Sequence, residues 1–370
     1  STGAAVVLAA VLAATAAAED VVTVRTEDGG RRDAVGEVVA YDSNLLSLRA
    51  PTGALLDFPA GDVVKVTTPR LPDHLAGLRA WAERDAAAAR EKLAAALEQE
   101  PREWVRREIL AALITADLAA ADRASAGGRF LALYRSDPGA TERLGLMPVP
   151  WGDRPPRGDD LAAANRWIHG PDDVEQLLGA GVLVGSPARR AGAVEVLQRL
   201  SRSGSSEIAE LARLQRWRAK LLAGEGTRTE LDAARRRIDG LPEPLRAGPL
   251  FTLGVAAEAA GRSDEAVEAF LWSPVTDSAD PVRAADGLLR AGDLLRQGDP
   301  SAAIRLWREA VARFPFAEAA EDARRRLDEF RPAPAAPADG AADDRAADDR
   351  VTDDGSAAAA TAVPASADSP

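Results

Sequence analysis

The sequence predicts a mainly α-helical protein, an array of helical hairpins preceded by a small all-β segment. Three observations carry this prediction. Apolar residues make up 46% of the chain but aromatics only 4%, so Ala, Leu and Val must do the packing, and Ala-rich helices packed closely suit that balance better than a large β-sandwich. Apolar residues alternate in the stretch 20–68 and return to helical spacing from residue 70 onward. Finally, one spacing of small and large residues recurs through the helical part.

Residues 20–68 contain five short period-two runs, VVTVRT, GEVVAY, LLSLRA, ALLDFPA and DVVKVTT. Turn signals separate them at Asp28-Gly29-Gly30, Asp42-Ser43-Asn44 and Pro51-Thr52-Gly53. Five strands in so few residues predict a small barrel over 19–69, and the order of its motifs resembles the SH3-like or Sm-like fold. Sm relatives often bind RNA. Here, however, Arg25, Arg31, Arg32, Arg49 and Lys65 face nine acidic residues, and a net-acidic surface is a poor phosphate binder.

The recurring spacing is clearest near the C-terminus. Ala303-x3-Trp307-x2-Ala310-x4-Pro315 follows Leu253-Gly254, Gly261, Ala266 and Phe270. The same offsets occur at Ala89, Leu93, Ala96 and Pro101, and at Ala126, Phe130, Leu133 and Pro138. Both pairs step by 37 residues, from Ala89 to Ala126 and from Ala266 to Ala303. A small residue where two helices cross lets their backbones approach. The large residue one turn later fills the groove, and the proline stops the helix. This pattern resembles the tetratricopeptide repeat, a helix–turn–helix unit that stacks into an α-solenoid. The family repeat is about 34 residues, so each pair should carry an extra helical turn or a longer connection. The resemblance implies a protein that binds another protein or peptide and does no chemistry, with the first helix of each pair lining a concave face. It places His74, Leu78 and Trp81 on that face, as candidate partner-binding residues, if Gly77 is the signature glycine. Trp81 has a competing reading, in which it packs against the small barrel and fixes the two domains together.

Between the repeat pairs the pattern breaks. Residues 139–160, with Pro138 before them, hold five prolines and four glycines, which forbids a long helix. Helical pattern resumes near Leu161. Pro171-Asp172-Asp173, Ser186-Pro187 and Ser205-Ser206-Glu207 read as starts of further helices. The stretch Leu211 to Arg218, L-A-x-L-Q-x-W-R, stands out without a known chemistry, and packing of Trp217 is its plain reading. Residues Glu318–Phe330 read as a polar terminal helix, and the run around Trp307 resembles the final repeats of exported bacterial envelope proteins.

The two ends differ in kind. Residues 4–18 are an unbroken apolar and small run, shorter than the ~20 residues of a membrane span, ending in an A-x-A site before Glu19. Residues 1–18 therefore read as a signal peptide lacking its charged start, or as an N-terminal anchor. The first reading places the protein in the periplasm or cell envelope, with no stable membrane insertion after cleavage. Residues 331–370 form an acidic Ala/Pro/Asp tail with eight Asp and three Arg, a composition expected to be disordered.

Composition also excludes functions. The net charge of −12 argues against nucleic acid and anionic lipid as partners. With no cysteine, disulfides, thiol catalysis and thiolate metal sites are out. The two histidines, His74 and His169, stand near no G-x-S-x-G, H-E-x-x-H or phosphate loop. The pairs Asp159-Asp160 and Asp172-Asp173 lack EF-hand spacing and read as acids at helix starts. No catalytic, metal or cofactor-binding residues and no cofactor are assigned. The expected function is a non-enzymatic exported scaffold, which could also self-associate. The alternative is a ligand-binding accessory or regulatory subunit of an envelope complex, working through the small barrel.

Overall fold

The computed structural model describes residues 19–225, 228–276 and 279–330. The signal-peptide and tail expectations, for 1–18 and 331–370, lie outside them. The chain is mainly helical, with a five-stranded antiparallel sheet at its N-terminal end. The strands are β1 (Asp20–Arg25), β2 (Arg31–Tyr41), β3 (Leu45–Arg49), β4 (Leu55–Pro59) and β5 (Val63–Thr67), in the order β4-β3-β2-β1-β5. Gly29 and Gly53, at φ +81° and +85°, make the turns after β1 and β3, a conformation that glycine adopts without strain. Alternation works as the sequence implies: Val22, Val24, Val38, Leu46, Leu48 and Phe58 point to one buried face. Among the described residues no pairing joins β4 to β5, so the sheet of the expected small barrel stays open with two edges.

That buried face does not enclose a core of its own. It shares one with α2 (Ala86–Gln99) and α3 (Glu103–Ala119), through Leu93, Ala96, Trp104, Val105, Ile109 and Leu113. Polar contacts reinforce the seam. Arg102 donates to the Thr68 hydroxyl (2.6 Å) and to the Pro69 carbonyl (2.9 Å) while pairing with Glu100 (2.6 Å). Asp137 accepts from the Ser43 amide (3.0 Å) and hydroxyl (2.7 Å). The stretches 19–69 and 70–329 therefore belong to one compact unit.

The helical part begins with α1 (Pro72–Ala82) and α2, then α3 and α4 (Arg123–Ser136); it ends with α10 (Ala247–Ala259), α11 (Ser263–Thr276), α12 (Pro281–Leu295), α13 (Pro300–Arg313) and α14 (Glu318–Glu329). Aspartates start several helices: Asp85, Asp122 and Asp299 accept the amides of Ala88, Ser125 and Ala302 at 2.8–3.0 Å. The small-and-large spacing is real packing. A Cβ on Gly77 would lie 2.6 Å from Leu93, and one on Gly254 would lie 2.7 Å from the Phe270 ring. At both places the glycine receives the large side chain sixteen residues on, so the two hairpins pack by the same rule. Gly292 takes the Trp307 ring in the same manner (2.4 Å). Ala89, Ala126, Ala266 and Ala303 are fully buried at the crossings. Within the first 37-residue step, α3 runs 17 residues.

Between these ends lie α5 (Gly158–Trp167), α6 (Asp173–Leu183), α7 (Arg190–Leu200), α8 (Ser206–Leu222) and α9 (Arg228–Asp239). Asp172 and Ser205 cap α6 and α8 as expected, accepting from Glu175 (2.8 Å) and Ile208 (3.3 Å). Ser186-Pro187 does not start α7. The Ser186 carbonyl is taken up in a turn by the amides of Arg189 and Arg190, and the helix begins at Arg190. Helix α9 is highly charged, and Leu231, Ala234 and Ile238 are its buried residues among those described. Among the described residues no helix is long and apolar enough to cross a membrane.

Candidate interaction site

The three sequence-predicted contact residues sit on α1 but do not share one surface. His74 is only 2% exposed. Burial, helped by the Arg70 charge, holds its pKa below the ordinary histidine value, so the ring is neutral at pH 7. A side chain so covered offers a partner nothing, which removes His74 from the contact face. Leu78 is exposed, as is Leu75 one turn earlier. Trp81 is half-buried, and its ring lies 5.8 Å from that of Phe316, just before α14. The reading that pins Trp81 to the sheet fails. The tryptophan in the sheet's core is Trp104, 6.3 Å from Tyr41. Trp81 instead joins the first hairpin to the last.

A second contact, of α3 with α12, brings the same two ends together. The helices thus close round a centre, and the chain itself fills it. Residues 147–151 have no regular secondary structure, yet Met147, Val149 and Trp151 are each less than 9% exposed. A buried irregular segment must satisfy its backbone, and this one does so in three ways, the first being a tight turn in which the Val149 amide donates to the Met147 carbonyl (2.8 Å). Pro148 and Pro150 carry no N–H to satisfy. The carbonyls are met by side chains from three helices. Arg123 of α4 donates to Pro148 (2.8 Å), and Gln215 of α8 donates to Pro150 (3.1 Å). Arg218 of α8 reaches Gly152 (2.8 Å), and Thr252 of α10 reaches Trp151 (2.5 Å). The side chains at alternate positions enter slots floored by glycine. A Cβ on Gly181 would meet Val149 at 2.6 Å, and one on Gly248 would meet the Trp151 ring at 2.3 Å.

Arg218 is the least ordinary residue of this arrangement. It is 1% exposed and pairs with no carboxylate, giving its protons to the carbonyls of Gly152 and Gly181 (2.9 Å) and to the Gln215 amide oxygen (3.1 Å). Burial pushes its pKa down to about 9, which leaves it charged at pH 7. The cation therefore acts as a fixed multi-donor for main-chain oxygens. The conspicuous stretch Leu211 to Arg218 now has a structural role, since Leu211, Gln215 and Arg218, at i, i+4 and i+7, form the stripe of α8 that faces the irregular segment.

Beside the segment lies a hollow of about 490 Å³, bordered by Trp151, Arg154, Phe251 and Asp286. On its border Arg154 bridges Asp286 (3.1 Å) and Glu318 (2.9 Å), and next to it Arg290 reaches Asp153 (2.5 Å). Burial, opposed by Arg290 and Arg154, raises the pKa of Asp286. Neither histidine borders the hollow, and His169 is exposed. Among the described residues no group of three His, Asp or Glu is placed to hold a metal. The acids at 159–160 and 172–173 serve helix starts: Asp160 accepts the Arg157 amide and Asp172 that of Glu175. What this centre does chemically is hold irregular main chain. Sequence reasoning flagged the prolines only as a break and Gln215-x2-Arg218 only as a pattern. Nothing local says that the two, some 65 residues apart, meet.

No match to this chain is found among protein families, curated proteins or solved structures.

Proposed function

We propose that the protein is a non-enzymatic exported scaffold of the cell envelope that holds another protein or peptide through tetratricopeptide-like helical hairpins. The observation that supports this most is the treatment of residues 147–152. Side chains from α4, α8 and α10 take the carbonyls of Pro148, Pro150, Trp151 and Gly152 in a buried, proline-containing segment without regular structure, while glycine-floored slots take its side chains. Proteins that grip extended peptides use these same devices. The shared glycine-to-large spacing of the hairpins at Gly77 and Gly254 supports the repeat reading. The test is capture of partners from the native envelope with the full chain as bait, because the sheet and helices share a core and a helical fragment would lose part of it. A stoichiometric protein partner is the expected result. Capture of none, under conditions where crosslinking to known abundant envelope proteins works, would contradict the proposal.

One observation favours the second reading, a ligand-binding accessory working through the sheet. A hollow of about 770 Å³ lies where the sheet meets the start of α1 and α3, bordered by Glu37, Arg49, Arg70, Glu100 and Arg102. Thermal stabilisation by a small molecule, lost in Arg49→Ala, would support this reading over the scaffold.

A further inference from the structure

Helix α8 has a second face. Arg213, Arg216, Trp217 and Lys220, at i, i+3, i+4 and i+7, form a stripe turned away from Gln215 and Arg218. This stripe lies in a groove of about 960 Å³ between α7 and α9, the largest hollow of those described above. The groove has an apolar floor of Leu214 and Trp217. Its walls carry small residues: Ala191 from α7, Ala233 from α9, Ala219 from α8 and Ala223 just past the end of α8. Small residues there let another backbone come close. Along α8, the stretch from Arg213 to Ala223 spans roughly 15 Å at 1.5 Å per residue, about three helical turns.

The groove's charge runs against that of the whole chain. Arg190, Arg213, Arg216, Lys220 and Arg237 border it, against Glu225 and Glu230, in a protein of net charge −12. Glu210 serves both Arg213 and Arg237, and Glu230 pairs with Lys220 at 2.9 Å. Arg190 is spent on the carbonyls of Val184 and Leu222. An excess of positive charge remains after these pairings. Arg216 makes no hydrogen bond or ion pair among the described residues, and its buried Nε lacks a partner. Trp217 is 9% exposed and its indole N–H is also without an acceptor. Arg216 thus brings to the groove a charge that no carboxylate among the described residues answers.

We propose that this groove docks an acidic amphipathic helix of a partner protein. Small apolar residues on one face of that helix would lie on Leu214 and Trp217, and its carboxylates would meet Arg216 and the other rim cations. A slot between two helices on the surface of a third is the place another helix takes in a helical layer. The inference rests on the scaffold reading and names the chemistry of the partner.

The probe is a fluorescein-labelled 18-residue helix-forming peptide of Ala, Leu and Glu, with its glutamates on one face, added to the full-chain protein and followed by anisotropy. It should bind, weaken steeply with salt, and bind at least about tenfold more tightly than the same peptide with Gln for Glu. Arg216→Glu should abolish binding with an unchanged melting temperature, because Arg216 makes no hydrogen bond or ion pair among the described residues, and Arg216→Ala should weaken it in the same direction. Equal affinity for the Gln peptide, or undiminished binding by both Arg216 variants, would overturn the proposal. So would binding to phosphatidylglycerol vesicles through Arg216 without binding of the peptide. If an envelope partner is captured equally well by wild type and Arg216→Glu, the groove assignment falls while the scaffold reading stands. Loss of that partner in Arg216→Glu supports both.

Discussion

The hairpins at the two ends of the helical array and the helices in its middle are built on different rules. At the ends, α1–α4 and α10–α13, each helix packs on its sequence neighbour, and at Gly77, Gly254 and Gly292 a glycine receives the large side chain fifteen or sixteen residues later. In the middle, α6 and α8 are tied to each other and to α10 by a segment with no regular structure, through bonds such as Gln215 to Pro150 and Thr252 to Trp151, 65 and 101 residues apart. The ends are held by shape over short range. The middle is held by buried polar donors over long range, and it is there that the chain departs from a repeat.

The two rules fail differently when broken. Trp307 is fully buried in the slot at Gly292. Trp307→Ala should cost about 3–5 kcal/mol, read as a fall in urea midpoint. A near-neutral result would show that the end hairpins are not held by this spacing. In the middle, Arg218→Met keeps the bulk of the side chain but strands the carbonyls of Gly152 and Gly181. Loss of those hydrogen bonds, offset by relief of a buried unpaired charge, should cost about 1–3 kcal/mol. Proteolysis should then open at residues 147–157 before it opens elsewhere.

This difference also explains what was legible in the sequence. The helical class, the alternating strands, the buried Ala89, Phe130, Phe270 and Trp307 and the caps at Asp172 and Ser205 all follow from local rules, since their partners lie within one or two elements. Closure of the sheet depends on β4 meeting β5, which alternation does not report. The burial of His74 and the meeting of Trp81 with Phe316 depend on how the ends come round. Pro148 and Pro150 read as a break because prolines end helices; that they also suit a buried irregular segment is visible only once Arg123, Gln215 and Arg218 surround it.

Within the end hairpins one polar exception can be tested by pH. Asp117 of α3 is fully buried between Arg129 (2.6 Å) and Arg90 (2.8 Å), and burial outweighs both, raising its pKa to about 6. The folded state thus holds this proton more tightly than the unfolded chain. The stabilisation this gives is present at low pH and is lost as pH rises from about 4 through about 6. Relative to Asp117→Asn, the wild type should gain about 1 kcal/mol between pH 7 and pH 5 in denaturant titrations. A gap that moves the other way would mean that the arginines, and not burial, set this group. The smallest effect is expected where the ends meet. Trp81 is half-buried, so Trp81→Ala and Phe316→Ala should each cost little, with a coupling of about 0.5–1.5 kcal/mol in a double-mutant cycle. No coupling would leave the ends joined by α3 and α12 alone.

If the irregular segment organises the middle, Trp151 is a core residue although it lies in a segment without secondary structure. Equilibrium unfolding of Trp151→Ala beside Trp307→Ala tests this. Comparable losses of about 3–5 kcal/mol are expected from the two, with α8 and α10 losing hydrogen-exchange protection together in Trp151→Ala. A loss below about 1 kcal/mol, typical of a surface loop, with α8 and α10 protected as before, would show that the middle of the array stands without this segment.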